Sequence, residues 1–191
     1  MESRVVLSPK YMLRELQFKY LSRRHADDIY RFAQAILGNH ADAQDVAQEV
    51  LIKLWKKLPM LSVGRMKSWL MTTTHRHCLD QIKMKKRRDS YCNEESFLRT
   101  TFAASNAPVP DQSTDHSLLH AEISQALAAL PEKHQAAFVL HEVNGLKYRT
   151  IAETLDIPMN SVKVFISRAR TKLQKTLRKD STWIKSYSDG K

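Results

Sequence analysis

A chain of 191 residues carrying a net charge of +11, two cysteines and four glycines has room for one or two small domains and favours a polyanionic partner. It contains no 18-residue apolar run and no apolar leader near its start, which argues against a membrane span or a secretory signal, and two cysteines are too few for a disulfide scaffold. A reducing, cytoplasmic setting without membrane insertion is therefore expected.

In chain order, a segment around Leu13–Leu21 leads into a helix over 26–37, where Ile29, Phe32, Ala33, Ile36 and Leu37 recur at helical spacing until GNHAD breaks the run. Asp42 is the expected N-cap of a second helix. Its stripe runs through Ala43, Val46, Ala47, Val50, Leu51, Leu54 and Leu58 and stops at Pro59. A third helix is expected from about Met66 through Leu70, Leu79 and Ile82 into KMKKRR, and the three elements make a first domain over 1–90. Residues 91–117, rich in Ser, Thr, Asn and Pro and without sustained period, read as a linker. A second domain follows over 118–180, with helices at 118–130, 132–143, 147–155 and roughly 160–179, and residues 181–191 are a tail.

The last two helices are predicted to form a helix-turn-helix: Ile151, Ala152, Leu155, Ile157, Val162 and Ile166 are spaced to pack two short helices across a tight turn. In the second of them Val162, Ile166, Ala169, Leu173 and Leu177 form a buried stripe. Lys163, Val164, Ser167, Arg168, Thr171 and Lys175 lie away from it, free to meet phosphates and base edges. The fold class is therefore all-α, two small helical domains joined by a linker, the C-terminal one containing a helix-turn-helix. Charge follows the same division. Residues 65–88 hold eight basic and one acidic residue, residues 160–179 hold seven and none, and residues 89–159 hold four and ten. Two basic blocks around an acidic middle suit two contacts along one polyanion.

ALAALPEKHQAAFVLHEVNGLKYRTIAETLDIPMNSVKVFISRARTKL resembles region 4 of bacterial sigma factors of the extracytoplasmic function group, and DIYRFAQAILGNHADAQDVAQEVLIKLWKKLP with WLMTTTHRHCLDQIKMKKRR resembles region 2 of the same group. The resemblance implies a dissociable subunit that binds core RNA polymerase, recognises −35 and −10 elements of double-stranded promoter DNA, and holds the melted non-template strand, under control of an anti-sigma factor. It implies a core-binding surface at Asp45, Gln48, Glu49, Ile52, Lys53 and Lys56, of which Asp45, Gln48, Glu49, Ile52 and Lys56 lie opposite the apolar stripe of their helix. It places −10 contacts at Arg65, Lys67, Trp69, Arg76, Lys83, Lys86 and Arg87, where an aromatic among cations also suits unstacked bases. It places −35 contacts at Tyr148, Arg149, Asn160, Ser161, Lys163, Val164, Ser167, Arg168 and Arg170. A further expectation is that an inhibitor holds the two domains in a compact arrangement hiding Asp45–Ile52.

Three departures from the family pattern stand out: Arg76 replaces an Asn, Phe165 an Arg of V-K-S-R, and Asp156 the turn Gly. Asp tolerates a left-handed turn, so the fold expectation stands. Phe165, on the flank of the wheel, either packs against a neighbouring helix or meets a thymine methyl. HRHC places His77 away from His75 and Cys78, a poor geometry for three metal ligands. No metal, cofactor or catalytic residue is expected, and His134 and His141 read as solvent or packing residues. Trp69 and Ile52 also have plain readings, as core and rim residues. An autonomous helix-turn-helix regulator, binding DNA tightly without polymerase, and a general RNA-binding protein are the competing functions.

Overall fold

The two apolar stretches before GNHAD form one helix, α1 (Pro9–Leu37), in the computed structural model, which describes residues 9–95 and 114–180. Gly38, at φ +67°, reverses the chain at its end, a conformation open to a residue without Cβ. α2 (His40–Lys57) is capped one turn earlier than expected: the Asn39 side chain accepts from the Asp42 amide at 3.0 Å, and Asp42 itself lies in the first turn. Both residues satisfy the positive end of the helix, one by a hydrogen bond and one by its charge. Ala43, Val46, Val50 and Leu54 are buried as the stripe requires, while Ala47 and Leu51 are only half covered. At the far end of this helix Trp55 packs edge-on against Phe18 of α1, with ring centroids 5.3 Å apart and the Arg14 guanidinium 4.3 Å from the indole centroid.

Two short 3₁₀ turns around Pro59 and Gly64 lead into α3 (Met66–Glu95). This helix runs past the expected domain edge at 90, and α4 (Thr114–Ala128) begins before 118, so helix occupies both ends of the expected linker. The remainder of that linker and the tail from 181, with Trp183 and Tyr187, lie outside the described residues.

The second module comprises α4, α5 (Glu132–Glu142), α6 (Tyr148–Leu155) and α7 (Met159–Asp180). Ile151 and Leu155 from α6 meet Val162, Ile166, Ala169 and Leu173 from α7, all buried. The turn between these helices is made by Asp156 at φ 51°, ψ 56°, with its amide donating to the Ala152 carbonyl. Asp thus takes the place of the family's Gly without breaking the helix pair.

Nothing in the apolar spacing anticipates how closely the modules pack. α3 lies against α6, and α1 against α4 and α5. The seam is sewn largely by polar side chains reaching backbone carbonyls across it. Asn144 Nδ2 donates to the Asp28 carbonyl at 2.8 Å, Gln135 Nε2 to the Ala35 carbonyl at 3.1 Å, and Lys67 Nζ to the Asn144 carbonyl at 3.3 Å. Gln135, Asn144 and Thr154 are all buried there. Such residues give no helical hydrophobic period, and the seam satisfies them only in part, since Asn144 Oδ1 and Thr154 Oγ1 are buried without a hydrogen-bond partner among the described residues.

Candidate nucleic-acid and polymerase interface

Burying the apolar stripe of α2 forces the opposite side outward. Asp45, Gln48, Glu49, Ile52, Lys53 and Lys56 are all exposed, Ile52 to 54%. Glu49 and Lys53, one helical turn apart, do not pair directly. His77 of α3 stands between them, its Nδ1 2.8 Å from Glu49 Oε2 and its Nε2 against Lys53 Nζ. With the ammonium donating to Nε2, Nδ1–H donates to the carboxylate. His77 therefore braces two side chains of the expected polymerase face. Sequence reading misses that role because the three residues lie on two helices far apart in the chain, and HRHC by itself suggests only metal ligation.

Arg65, in the 3₁₀ turn just before α3, and Arg76, Lys83, Lys86 and Arg87 along it are exposed. Trp69 is half-buried and packed against the core, in line with its plainer reading, and its carbonyl accepts from the Thr73 hydroxyl at 2.8 Å. Lys67 is drawn into the seam, 3.4 Å from Asp28 Oδ2 as well as bonded to the Asn144 carbonyl. An open cleft of about 270 Å³ lies beside it, lined by Ser68 from α3 and by Lys147, Thr150 and Glu153 from the second module.

The HRHC residues diverge. His77 turns to α2, His75 is buried with its ring 6.2 Å from that of Phe32, and burial pushes the Cys78 thiol up to about 12. A thiol so shifted is poorly nucleophilic at neutral pH. Among the described residues no three His, Cys, Asp or Glu side chains come together as a metal site would require.

α7 presents Asn160, Lys163, Val164, Ser167 and Arg168 to solvent on one side, with Ser161 half covered at the edge. Arg170 is also exposed but turns off that face to Glu142 of α5, with Nε 3.0 Å from Oε1 and Nη2 on the same oxygen. Arg170 holds the Glu142 carboxyl below its usual range, helped by the hydrogen bond from His141 and opposed by burial. In α6, Tyr148 is half-buried against the His141 ring, centroids 5.1 Å apart, and Arg149 pairs with Glu153 at 3.3 Å. Phe165 is half-buried against the core and against His134, with ring centroids 4.6 Å apart. Packing is the geometry it adopts.

The buried histidines make stability depend on pH. Burial holds His25 below the ordinary histidine range, with Arg24 and Lys67 adding to the effect and Asp28 opposing it. Burial does the same for His75, with Arg76 and Lys133 adding and Glu132 opposing. Above about pH 7.5 both rings are neutral whether the chain is folded or unfolded, so neither contributes a slope. As pH falls below that value the unfolded chain takes up protons that the folded chain resists, and stability is lost. Urea midpoints are expected to drop between about pH 7.5 and pH 5.5, and His75→Gln to lessen the drop.

Comparison with known proteins agrees with this geometry. The family model for Sigma-70 region 2 matches residues 21–88, and that for Sigma-70, region 4 matches residues 120–173. The chain is 33% identical over 162 residues to ECF RNA polymerase sigma factor SigE of Mycolicibacterium smegmatis, covering 85% of this chain and 62% of that protein. It thus spans less than two thirds of that relative's length. It is 29% identical over 160 residues to ECF RNA polymerase sigma factor SigW of Bacillus subtilis, covering 81% of this chain and 85% of SigW. Among solved structures, the sigma factor RpoE in complex with the anti-sigma factor NepR from Bartonella quintana aligns with a TM-score of 0.67 at 25% identity, over 86% of this chain and 98% of that one. CnrH, solved in complex with the cytosolic domain of CnrY, shares the fold at 21% identity with a TM-score of 0.66, over 87% of this chain and 91% of that one. With region 2 and region 4 matched in order on the two helical modules, the chain belongs to the sigma-70 family, in its extracytoplasmic function group.

Proposed function

We propose that the chain is a promoter-specificity subunit of RNA polymerase, working in the cytoplasm under anti-sigma control. The outer face of α2 docks on core enzyme, α7 reads the −35 element, and α3 holds the non-template strand melted at the −10 element. The observation that carries this reading is the separation of two exposed basic surfaces onto different modules, with a third face on α2 that mixes the exposed Ile52 with charged groups, two of them braced by His77 of α3. The likeness to RpoE, solved with the anti-sigma factor NepR, supports the regulatory part. The chain supplies binding energy and strand capture, and bond-making belongs to the polymerase.

The packed arrangement is a resting one. Elements 25 positions apart lie roughly 85 Å apart on B-form DNA, whereas a compact chain of this length has a radius of gyration of only about 16 Å. Engaging both elements therefore requires the seam to open, which also releases Lys67 to the promoter strand. The 18 residues between α3 and α4 can span up to about 60 Å when extended. Because Asp45–Ile52 stays exposed while the modules are packed, an inhibitor that only keeps the seam closed leaves this face open. One that blocks core binding must cover the face itself.

Gel filtration with purified core RNA polymerase tests the reading. Co-elution with core, and retention of promoter duplex only when both proteins are present, is the expected result, because core holds two weak modules at promoter spacing. Tight, specific DNA binding by the chain alone, without core association, would make it an autonomous regulator.

A further inference from the structure

We propose that His134 is an additional promoter contact: as an imidazolium it joins Arg168 and Lys172 in holding a backbone phosphate beside the −35 element. The inference rests on the reading of α7 given above. The family pattern has an arginine where this chain has Phe165, so one cation is missing from the reading helix. The structure places a protonatable group against the substitute: the His134 ring, from the first turn of α5, lies over Phe165 with centroids 4.6 Å apart and planes tilted by 35°. Phe165, Arg168 and Lys172 are spaced three and four residues apart, so they share one flank of α7.

The groups facing His134 are mainly cationic. They are Arg168 and Lys172 from α7, while Lys133 and Glu132 are its neighbours in the first turn of its own helix. Lys172 Nζ also donates to the Ala129 carbonyl just ahead of α5. Among the described residues, none of His134, Arg168 and Lys172 has a carboxylate at ion-pair distance, whereas Arg170 and Arg149 do. Partial burial, then Arg168, then Lys172 disfavour the charged ring in the free protein. A phosphate arriving between them reverses that balance, because an adjacent anion favours the imidazolium. DNA binding then takes up a proton, and affinity rises as pH falls.

The test uses the full chain with core RNA polymerase and a fluorescent promoter duplex recovered from a randomised library by transcription. Wild type, His134→Gln and His134→Lys are titrated from about pH 8 to about pH 6, so that pH effects on core cancel in the comparison. Wild type is expected to tighten roughly threefold to tenfold relative to His134→Gln as pH falls, with a salt slope steeper by about 0.9 at the acid end. His134→Lys should bind tightly with no such rise. Matching profiles for wild type and His134→Gln overturn the proposal, even if the Gln variant is uniformly weaker through lost stacking on Phe165. Lys163→Ala and Arg168→Ala run in parallel. If they weaken binding while the His134 profile is flat, only this inference falls. If neither weakens binding, the reading of α7 falls and takes the inference with it.

Discussion

Replacing Ile52 by Glu is expected to weaken association with core RNA polymerase by on the order of 30-fold or more, while the urea midpoint of the free chain stays where it was. Ile52 is 54% exposed and lies opposite the stripe formed by Ala43, Val46, Val50 and Leu54, so its removal leaves no cavity, and surface changes of this kind fall within about 0.5 kcal/mol. At an interface the same residue acts differently. An apolar side chain ringed by Asp45, Gln48, Glu49, Lys53 and Lys56 has the makeup of a desolvated anchor with a polar rim, where truncation costs about 2 kcal/mol or more. A carboxylate there adds an unpaired charge to the loss. Titration of labelled core with both proteins, beside denaturation of each, separates these effects. Unchanged core affinity would return Ile52 to an ordinary rim residue.

The second large effect lies in α7, where neighbours two residues apart should answer oppositely. Ile166 is 1% exposed between α6 and α7, and Ile166→Ala should cost roughly 2–5 kcal/mol through lost burial and a residual cavity. A small module has little stability to spare, so the helix pair should melt well below the wild-type temperature, and with it all sequence-selective DNA binding. Val164 is 42% exposed on the face proposed to meet DNA. Val164→Ala should leave melting unchanged within experimental scatter and shift the preferred −35 sequence at one position, as loss of an apolar contact to a thymine methyl would. Calorimetry and promoter selection on the two variants check the contrast. Equal destabilisation by both would mean that the face assigned to DNA is packed.

What could be read from the sequence was periodic. The α2 stripe and the Ile151–Leu155 and Val162–Ile166 pairs follow from spacing at 3.6 residues per turn and the two basic blocks from counting charge, whereas α1 begins well before the expected 26 and α3 runs on past 90. The N-cap of α2 was misplaced from Asn39 to Asp42 because both residue types cap helices, and only backbone geometry distinguishes them. The seam was not legible. Asn144, Gln135, Thr72 and Lys67 reach or approach backbone across modules far apart in sequence, and a polar side chain aimed at a distant carbonyl leaves no periodic trace. The same applies to Arg170, which looks like one more cation of the reading helix until Glu142 is found beside it. Phe165 required three dimensions for another reason. It lies at the border of two faces of the wheel, and the neighbour that decides between them, His134, comes from α5.

The most direct test of the account is run-off transcription with purified core RNA polymerase over a library of randomised promoters. Transcripts that appear only when core and this chain are both present, from templates sharing a −35 and a −10 sequence at fixed spacing, are the predicted result. Transcripts independent of the chain, together with specific DNA binding by the chain alone, would contradict it and make the two modules parts of a regulator that acts without polymerase.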